Sequence, residues 1–313
     1  MNARRCVLLL AAFTCAVLPC PADPGHEILI EDLNLQITAN PTLPDLYYQR
    51  AGNYRELGRL ADARADFEKC LTLQSGFLPA ERELARLDEA EGRRKEAIER
   101  LEKAIAAAPP EAGVHLTGCY AVLADMDLKA GRNEEAFAAV STGISLTQAV
   151  TFDLYLLRDE AQRRLGKHDD RVRDLAAAVE KLKSFVLRIA WIEAMIDAGR
   201  GAEVLPEIQK QIDSSRLKAS WLIRRARARL HDQKTDPAAK ELAAKDLEAA
   251  LAEVEGRIRP ERPDLSLVCD RALILALQGK REEAAKELAD AKSRGADQWM
   301  TRILEGVLAA VPK

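Results

Sequence analysis

A block of about 34 residues is written twice in succession between Asp45 and Pro109, and this period constrains the chain more than its length does. The first copy reads DLYYQRAGNYRELGRLADARADFEKCLTLQ and the second PAERELARLDEAEGRRKEAIERLEKAIAAAP. With Gly58 and Gly92 superimposed, Ala51 matches Ala85 seven residues earlier, Ala63 matches Ala97 five later, and Phe67 matches Leu101 nine later. A unit this short cannot bury its own apolar face and must stack on its neighbours. A chain of 313 residues built this way therefore need not divide into two separate globular domains. Aromatic residues are only 4% of the chain, as close-packed alanine-rich helices would give.

The period and the pattern of alanines and large apolar residues resemble the tetratricopeptide repeat, a helix–turn–helix module. The resemblance implies an all-α, right-handed superhelical solenoid of antiparallel helix pairs, with about seven repeats over residues 23–311. A half-repeat falls at 27–41, where EILIEDLNLQITANP places Leu33 one period before Phe67. Full repeats follow at about 45–75, 78–109, 117–148, 152–183, 185–214, 219–255 and 264–294, and a cap at 296–310. The fourth, around Gly166, has Arg171 where an alanine is usual, and the fifth, around Gly199, has Ile192 and Val204. Pro206 is expected in the first turn of the fifth repeat's second helix, where proline is tolerated. The sixth repeat lacks a loop glycine and has a longer connection at 231–236; the seventh is centred on Gly279. In the cap, Trp299, Ile303, Val307 and Ala310 form one apolar stripe, expected to cover the open face of the last repeat.

The N-terminus reads as an export signal: Arg4 and Arg5, an apolar run from Cys6 to Leu18, then Cys20-Pro21-Ala22. The run is shorter than the ~20 residues a membrane-spanning helix needs. Cleavage after Ala22 is one reading, with residues 1–22 as signal peptide. Lipid attachment at Cys20 is the other, because Val17-Leu18-Pro19-Cys20 loosely resembles a bacterial lipobox, with Pro19 a poor fit. The whole thus resembles an exported bacterial-type tetratricopeptide repeat protein, periplasmic or secreted, touching membrane only if Cys20 carries lipid. Without residues 1–22, 45 basic residues stand against 50 acidic ones, a formal charge of −5. With no basic excess and few aromatics, nucleic acid is not an expected partner. Cys70, Cys119 and Cys269 are odd in number, lack the spacing of a disulfide framework, and are read as free thiols.

Eight residues before the loop glycine stands an arginine in three repeats, Arg50, Arg158 and Arg271; eight after it stands Asp66, Asp174 or Glu287. Arg225 and Asp246 hold the same relative places in the sixth repeat. Where the first position is apolar the second is free: Leu84 goes with Arg100, Leu123 with Ala139 and Trp191 with Glu207. The spacing predicts an ion pair between the two helices of one hairpin, where arginine's planar fork can meet a carboxylate through two bonds.

Motifs for chemistry are missing. His26, His115, His168 and His231 lie in different repeats without ligand spacing, Gly199-Arg200-Gly201 is a helix stop, and no serine stands in a nucleophile elbow. No metal, cofactor or catalytic residue is expected. The resemblance implies a non-enzymatic scaffold or adaptor that holds a protein or peptide on the concave surface lined by the first helices. A lipid-anchored envelope assembly factor and a carbohydrate-active enzyme on stacked helix pairs are the alternatives; the enzyme would need two carboxylates across a cleft. In the family the residues ten, six and three before the loop glycine face the concave side. Early repeats place Tyr48, Arg55, Arg82, Arg86 and Glu89 there. Later ones place Leu156, Glu160, Arg163, Ile189, Glu193, Ile196, Ile223, Arg227, Leu230 and Leu273. That apolar stripe either is open for a partner's helix or extended peptide, or is closed by the repeats themselves.

Overall fold

The computed structural model describes residues 24–109, 112–147, 150–231, 237–259, 261 and 263–310. The expected export segment, Cys20 included, lies outside them. Among the described residues every regular element is a helix, and the chain gathers into two compact units. Unit 1 lies within Met1–Gly131 with Ser145–Thr147; unit 2 lies within Arg132–Ile144 and Gln148–Lys313.

Unit 1 holds α1 (Pro24–Ala39), the hairpins α2 (Pro44–Glu56) with α3 (Leu60–Leu73) and α4 (Leu78–Ala90) with α5 (Arg94–Ala107), and α6 (Gly113–Ala130). The hairpins close because Ala51, Ala63, Ala85 and Ala97 are fully buried and leave room for the helices to approach. Phe67 and Leu101 fill the space beside them. Leu33 and Ile37 of α1 join the core formed with Phe67 and Cys70, so the first helix covers the first hairpin. Each first helix stops at a left-handed glycine. Gly58 and Gly92 have φ of 73° and 83°, and the next amides, of Arg59 and Arg93, reach back to the carbonyls of Tyr54 and Asp88 at 2.8 Å. This six-to-one bond satisfies carbonyls the helix end would otherwise leave unpaired.

Unit 2 holds α7 (Asn133–Ser145), four hairpins and a last helix. The hairpins are α8 (Phe152–Arg164) with α9 (His168–Leu182), α10 (Phe185–Asp197) with α11 (Gly201–Ser214), α12 (Ala219–His231) with α13 (Pro237–Glu255), and α14 (Leu265–Leu277) with α15 (Arg281–Ser293). The last helix is α16 (Gln298–Ala309). The Lys167, Arg200 and Lys280 amides repeat the six-to-one bond of unit 1, and Ala272 with Ala284 restores the buried alanine pair. Each unit is therefore built from tetratricopeptide-type helix hairpins.

All four arginine–acid pairs form. Arg50 donates to both oxygens of Asp66 at 2.7 Å, Arg225 to both of Asp246 at 3.0 and 2.5 Å, and Arg271 to Glu287 at 3.0 Å. Arg158 lies 3.4 Å from Asp174, whose carboxylate accepts instead from Gln162 at 2.8 Å. Cys70, Cys119 and Cys269 are free and buried, and burial pushes their thiols up to about 12, 11 and 11.

Two expectations need correction. Pro206 does not sit in the first turn of α11, because that helix begins at Gly201 and places the proline one turn deeper. Gly201 allows the early start: a Cβ there would meet the Ala228 carbonyl oxygen at 2.7 Å. The apolar stripe of α16 is not its covered face either. Thr301 and Leu304 are buried, whereas Trp299 is exposed and Ile303 and Val307 are half-buried.

Candidate functional site

The first helices of unit 1 present a charged face arranged around one carboxylate. Glu83, buried on α4, accepts from Arg55 of α2 at 2.5 Å, from Arg82 at 3.0 Å and from Arg86 at 2.9 Å. Arg55 is shared with exposed Glu56, so three guanidiniums stand against two carboxylates. Arg82 also donates to the Tyr48 hydroxyl one period earlier, at 3.2 Å. Its guanidinium passes over Gly118 of α6, where a Cβ would lie 2.7 Å from Nη1. Arg86 is half-exposed, and a Cβ on Gly52 would meet nothing within 4 Å. On the same helix Glu89 pairs with Arg94 at 3.1 Å and Lys129 at 3.5 Å. Asp88, facing inward, accepts from Arg93 and Arg100 and lies 2.9 Å from Arg64. Burial acts to raise the Asp88 carboxyl, but these arginines outweigh it and hold it below the ordinary range.

Unit 2 carries its charges inside. In the fourth repeat both packing alanines are replaced, by Asp159 and Arg171, and Arg171 is 1% exposed. Arg171 donates to Asp159 at 2.8 Å and to Asp197 at 3.1 Å; Arg227 donates to Asp197 at 3.2 Å and to Glu193; Arg224 lies 2.8 Å from Glu193. The result is an unbroken ladder of opposite charges through α8, α9, α10 and α12. Burial works to raise the Glu193 carboxyl, yet Arg227 and Arg224 hold it at about 2. Glu160 accepts from Arg163 at 2.6 and 2.9 Å, from Arg164 at 2.7 Å and from Arg302 of α16 at 3.4 Å. Burial is again outweighed by those bonds, and the Glu160 carboxyl stays below its usual value. Held ionised, Glu160 and Glu193 are placed to bind cations rather than to donate protons. Burial pushes Asp270 of α14 the other way, up to about 6, against the pull of Arg224 and Arg257.

A cavity of about 700 Å³ lies over this ladder. Its floor is Arg163, Arg171, Asp197 and Arg227, and its opposite wall is Ile303, Gly306, Val307 and Ala310 of α16.

The residues singled out for partner binding fall into two groups. In unit 1 Arg86 is exposed and Arg82 half-buried. In unit 2 Glu160, Glu193, Ile196, Ile223, Arg227 and Leu273 are buried, and Leu156, Arg163 and Ile189 are half-buried, so the stripe is largely closed. Sequence reasoning missed Asp159, although its place seven residues before Gly166, opposite the unusual Arg171, was a readable signal. It also missed the reach of Arg302 to Glu160, for which no local pattern exists. Among the described residues no group of three or more His, Cys, Asp or Glu could hold a metal ion, and no helix is long and apolar enough to cross a membrane.

No protein-family model matches the chain. Of curated proteins, the DnaJ protein P58IPK homolog of Arabidopsis thaliana is 38% identical over 61 residues, 20% of this chain and 13% of that protein. Yeast Tom70 superposes with a TM-score of 0.50 at 14% identity, covering 92% of this chain and 58% of that one. A tetratricopeptide repeat protein from Parabacteroides merdae gives 0.48 at 15% identity, covering 81% of this chain and all of that one. YrrB, a TPR protein with an unusual peptide-binding site, gives 0.45 at 18% identity, with 59% and 92% covered. At these identities the likeness is one of fold.

Proposed function

We propose that the chain is a non-enzymatic scaffold that works outside the cytoplasm and holds an acidic segment of a partner protein on the first-helix face of unit 1. The observation that carries this reading is the Arg55–Arg82–Arg86 cluster. Three guanidiniums converge on Glu83, and Arg86 remains half-exposed with donors to spare. A partner's carboxylates would find bidentate donors there, and the attraction would weaken with salt. The repeated hairpins supply the face that presents the cluster. Export is supported by the composition of residues 1–22, with a mature N-terminus at Asp23, or at Cys20 if that residue is lipidated.

The test is retention from a native envelope fraction by immobilised wild-type protein and by the Arg82→Glu/Arg86→Glu variant. The reading expects a protein retained by the wild type, released by salt, and reduced at least tenfold on the variant at unchanged melting temperature. Equal retention by both would remove the site. Mass spectrometry of the mature N-terminus tests export separately, and an intact Met1 in the cytosol would contradict it.

A further inference from the structure

Four guanidiniums line the cavity of unit 2, those of Arg163, Arg171, Arg227 and Arg302, against two carboxylates, Glu193 and Asp197. The acids behind the wall do not close the difference. Asp159 holds Arg171, and Glu160 holds both Arg163 and Arg302, while Glu193 is shared with Arg224. Five arginines therefore share four carboxylates within ion-pair distance, which leaves one positive charge over at the cavity. Like charges this close repel, and an anion entering the cavity would relieve them.

The surplus charge comes with unused donors. Arg163 and Arg302 meet on one oxygen, Oε2 of Glu160, at 2.9 and 3.4 Å, so their guanidiniums are neighbours. Nη1 of Arg163, Nη2 of Arg171, and Nε and Nη2 of Arg302 make no hydrogen bond to the described residues. Arg171 is fixed in this wall: it is almost wholly buried and held by Asp159 and Asp197. The opposite side is apolar, with Leu230 of α12, Leu277 of α14, and Ile303 and Val307 of α16, each half-buried. A volume of about 700 Å³ falls within the range of about 300–1,000 Å³ usual for small-molecule sites. Among the described residues the lining has no Phe, Tyr or Trp ring to stack a base. It also has no side-chain hydroxyl or amide to order a sugar.

We propose that this cavity binds a small amphipathic anion, an aliphatic monocarboxylic acid, with its head on the arginines and its chain along α16. The carboxylate would take the free donors of Arg163, Arg171 and Arg302, in the geometry that arginine offers a planar acid. One surplus charge matches one carboxylate, and not the nearly double charge of a phosphate monoester. The hydrocarbon would cover what solvent still reaches of Leu277, Ile303 and Val307. The site lies wholly within unit 2 and goes beyond the scaffold reading, on which it does not rest.

Calorimetric titration of the full chain with octanoate, octanol and acetate tests the site. Expected is saturable octanoate binding, with octanol, which lacks the charge, and acetate, which lacks the chain, at least tenfold weaker. Arg163→Gln should weaken octanoate at least tenfold and leave octanol unchanged. Its melting temperature should hold, because Glu160 keeps Arg164 and Arg302. Ile303→Asn, on the opposite wall, should weaken octanoate and octanol alike. Should Arg163→Gln fold poorly, Arg302→Gln takes its place with the same expected result. Octanol bound as tightly as octanoate, octanoate binding unmoved by the arginine changes, or no saturable octanoate binding would overturn the site. Retention of a protein by unit 1 is read in a separate assay, so the two readings can fail independently.

Discussion

Unit 1 and unit 2 start from one repeat and differ in which charges they bury: carboxylates alone in unit 1, such as Glu83 and Asp88, and arginines as well in unit 2, Arg171 and Arg227. In unit 1 the hairpins close on alanine pairs, and the arginines stand on the first-helix face, half in solvent. In unit 2 the fourth hairpin replaces both alanines with Asp159 and Arg171, and charges run through the packed layer as far as Arg224. Small residues make a hairpin that any neighbour can stack on, and they leave its outer face free to vary. A buried ion ladder specifies its neighbours one by one, since each member left alone would be costly. Unit 2 then covers that ladder with its own last helix.

The sharpest way to break this contrast is at Arg171. Replacing it with leucine strands Asp159 in the core, at a cost of about 3–5 kcal/mol in a denaturant titration. The double change Asp159→Ala/Arg171→Ala recreates the alanine pair of unit 1 and should recover most of the loss. Additive single changes would mean the two do not act as a pair.

A smaller effect follows from Asp270. Its folded value of about 6 lies above the ~3.9 of an unfolded aspartate, so folding favours its protonated form. Stability should therefore rise as pH falls from above 6 towards 4, by up to about 3 kcal/mol. Asp270→Asn should be more stable than the wild type at pH 7.5 and lack that rise. Glu160, Glu193 and Asp88 act in the opposite sense. Their depressed values give stability that is full above about pH 4.5 and lost below it. Equilibrium unfolding at several pH values reads both slopes.

Two glycines separate the units at lower cost. Gly201→Ala drives a Cβ into the Ala228 backbone and should destabilise by about 1–3 kcal/mol. Gly52→Ala points into open space and should stabilise α2 by about 0.5–1 kcal/mol. Melting temperatures moving in the same direction would show that the packing of one unit is misread. The smallest difference lies between two pairs at equivalent positions. The two-bond Arg50–Asp66 pair should show a coupling larger than the looser Arg158–Asp174 pair, by about 1 kcal/mol or less in double-mutant cycles.

The hairpins, their glycine stops and the arginine–acid pairs were legible because each is set by residues at fixed offsets within one period. Gly58 marks a helix end wherever it stands, and Arg50 needs only Asp66 sixteen residues on. Asp159 and Arg171 were harder, since each alone reads as a degenerate repeat; their meaning lies in both alanines being lost together. Pro206 was misplaced because the start of α11 is set by Gly201 against Ala228, a contact between hairpins. The state of the concave stripe was not legible at all. Ile196 is buried by packing between hairpins, which no single period sets, and the Arg302 contact with Glu160 joins residues far apart in the chain.

Hydrogen exchange on the full chain and on Leu304→Asp tests most directly whether unit 2 covers its buried charges with its last helix. The account predicts that Leu304→Asp loses protection in α16 and in the last turns of α8, α10 and α12, with the hairpin cores and the whole of unit 1 unchanged. Loss of protection spread evenly across α8 to α16 would show that α16 is part of the core, and an unchanged α8 would show that Arg302 does not hold Glu160.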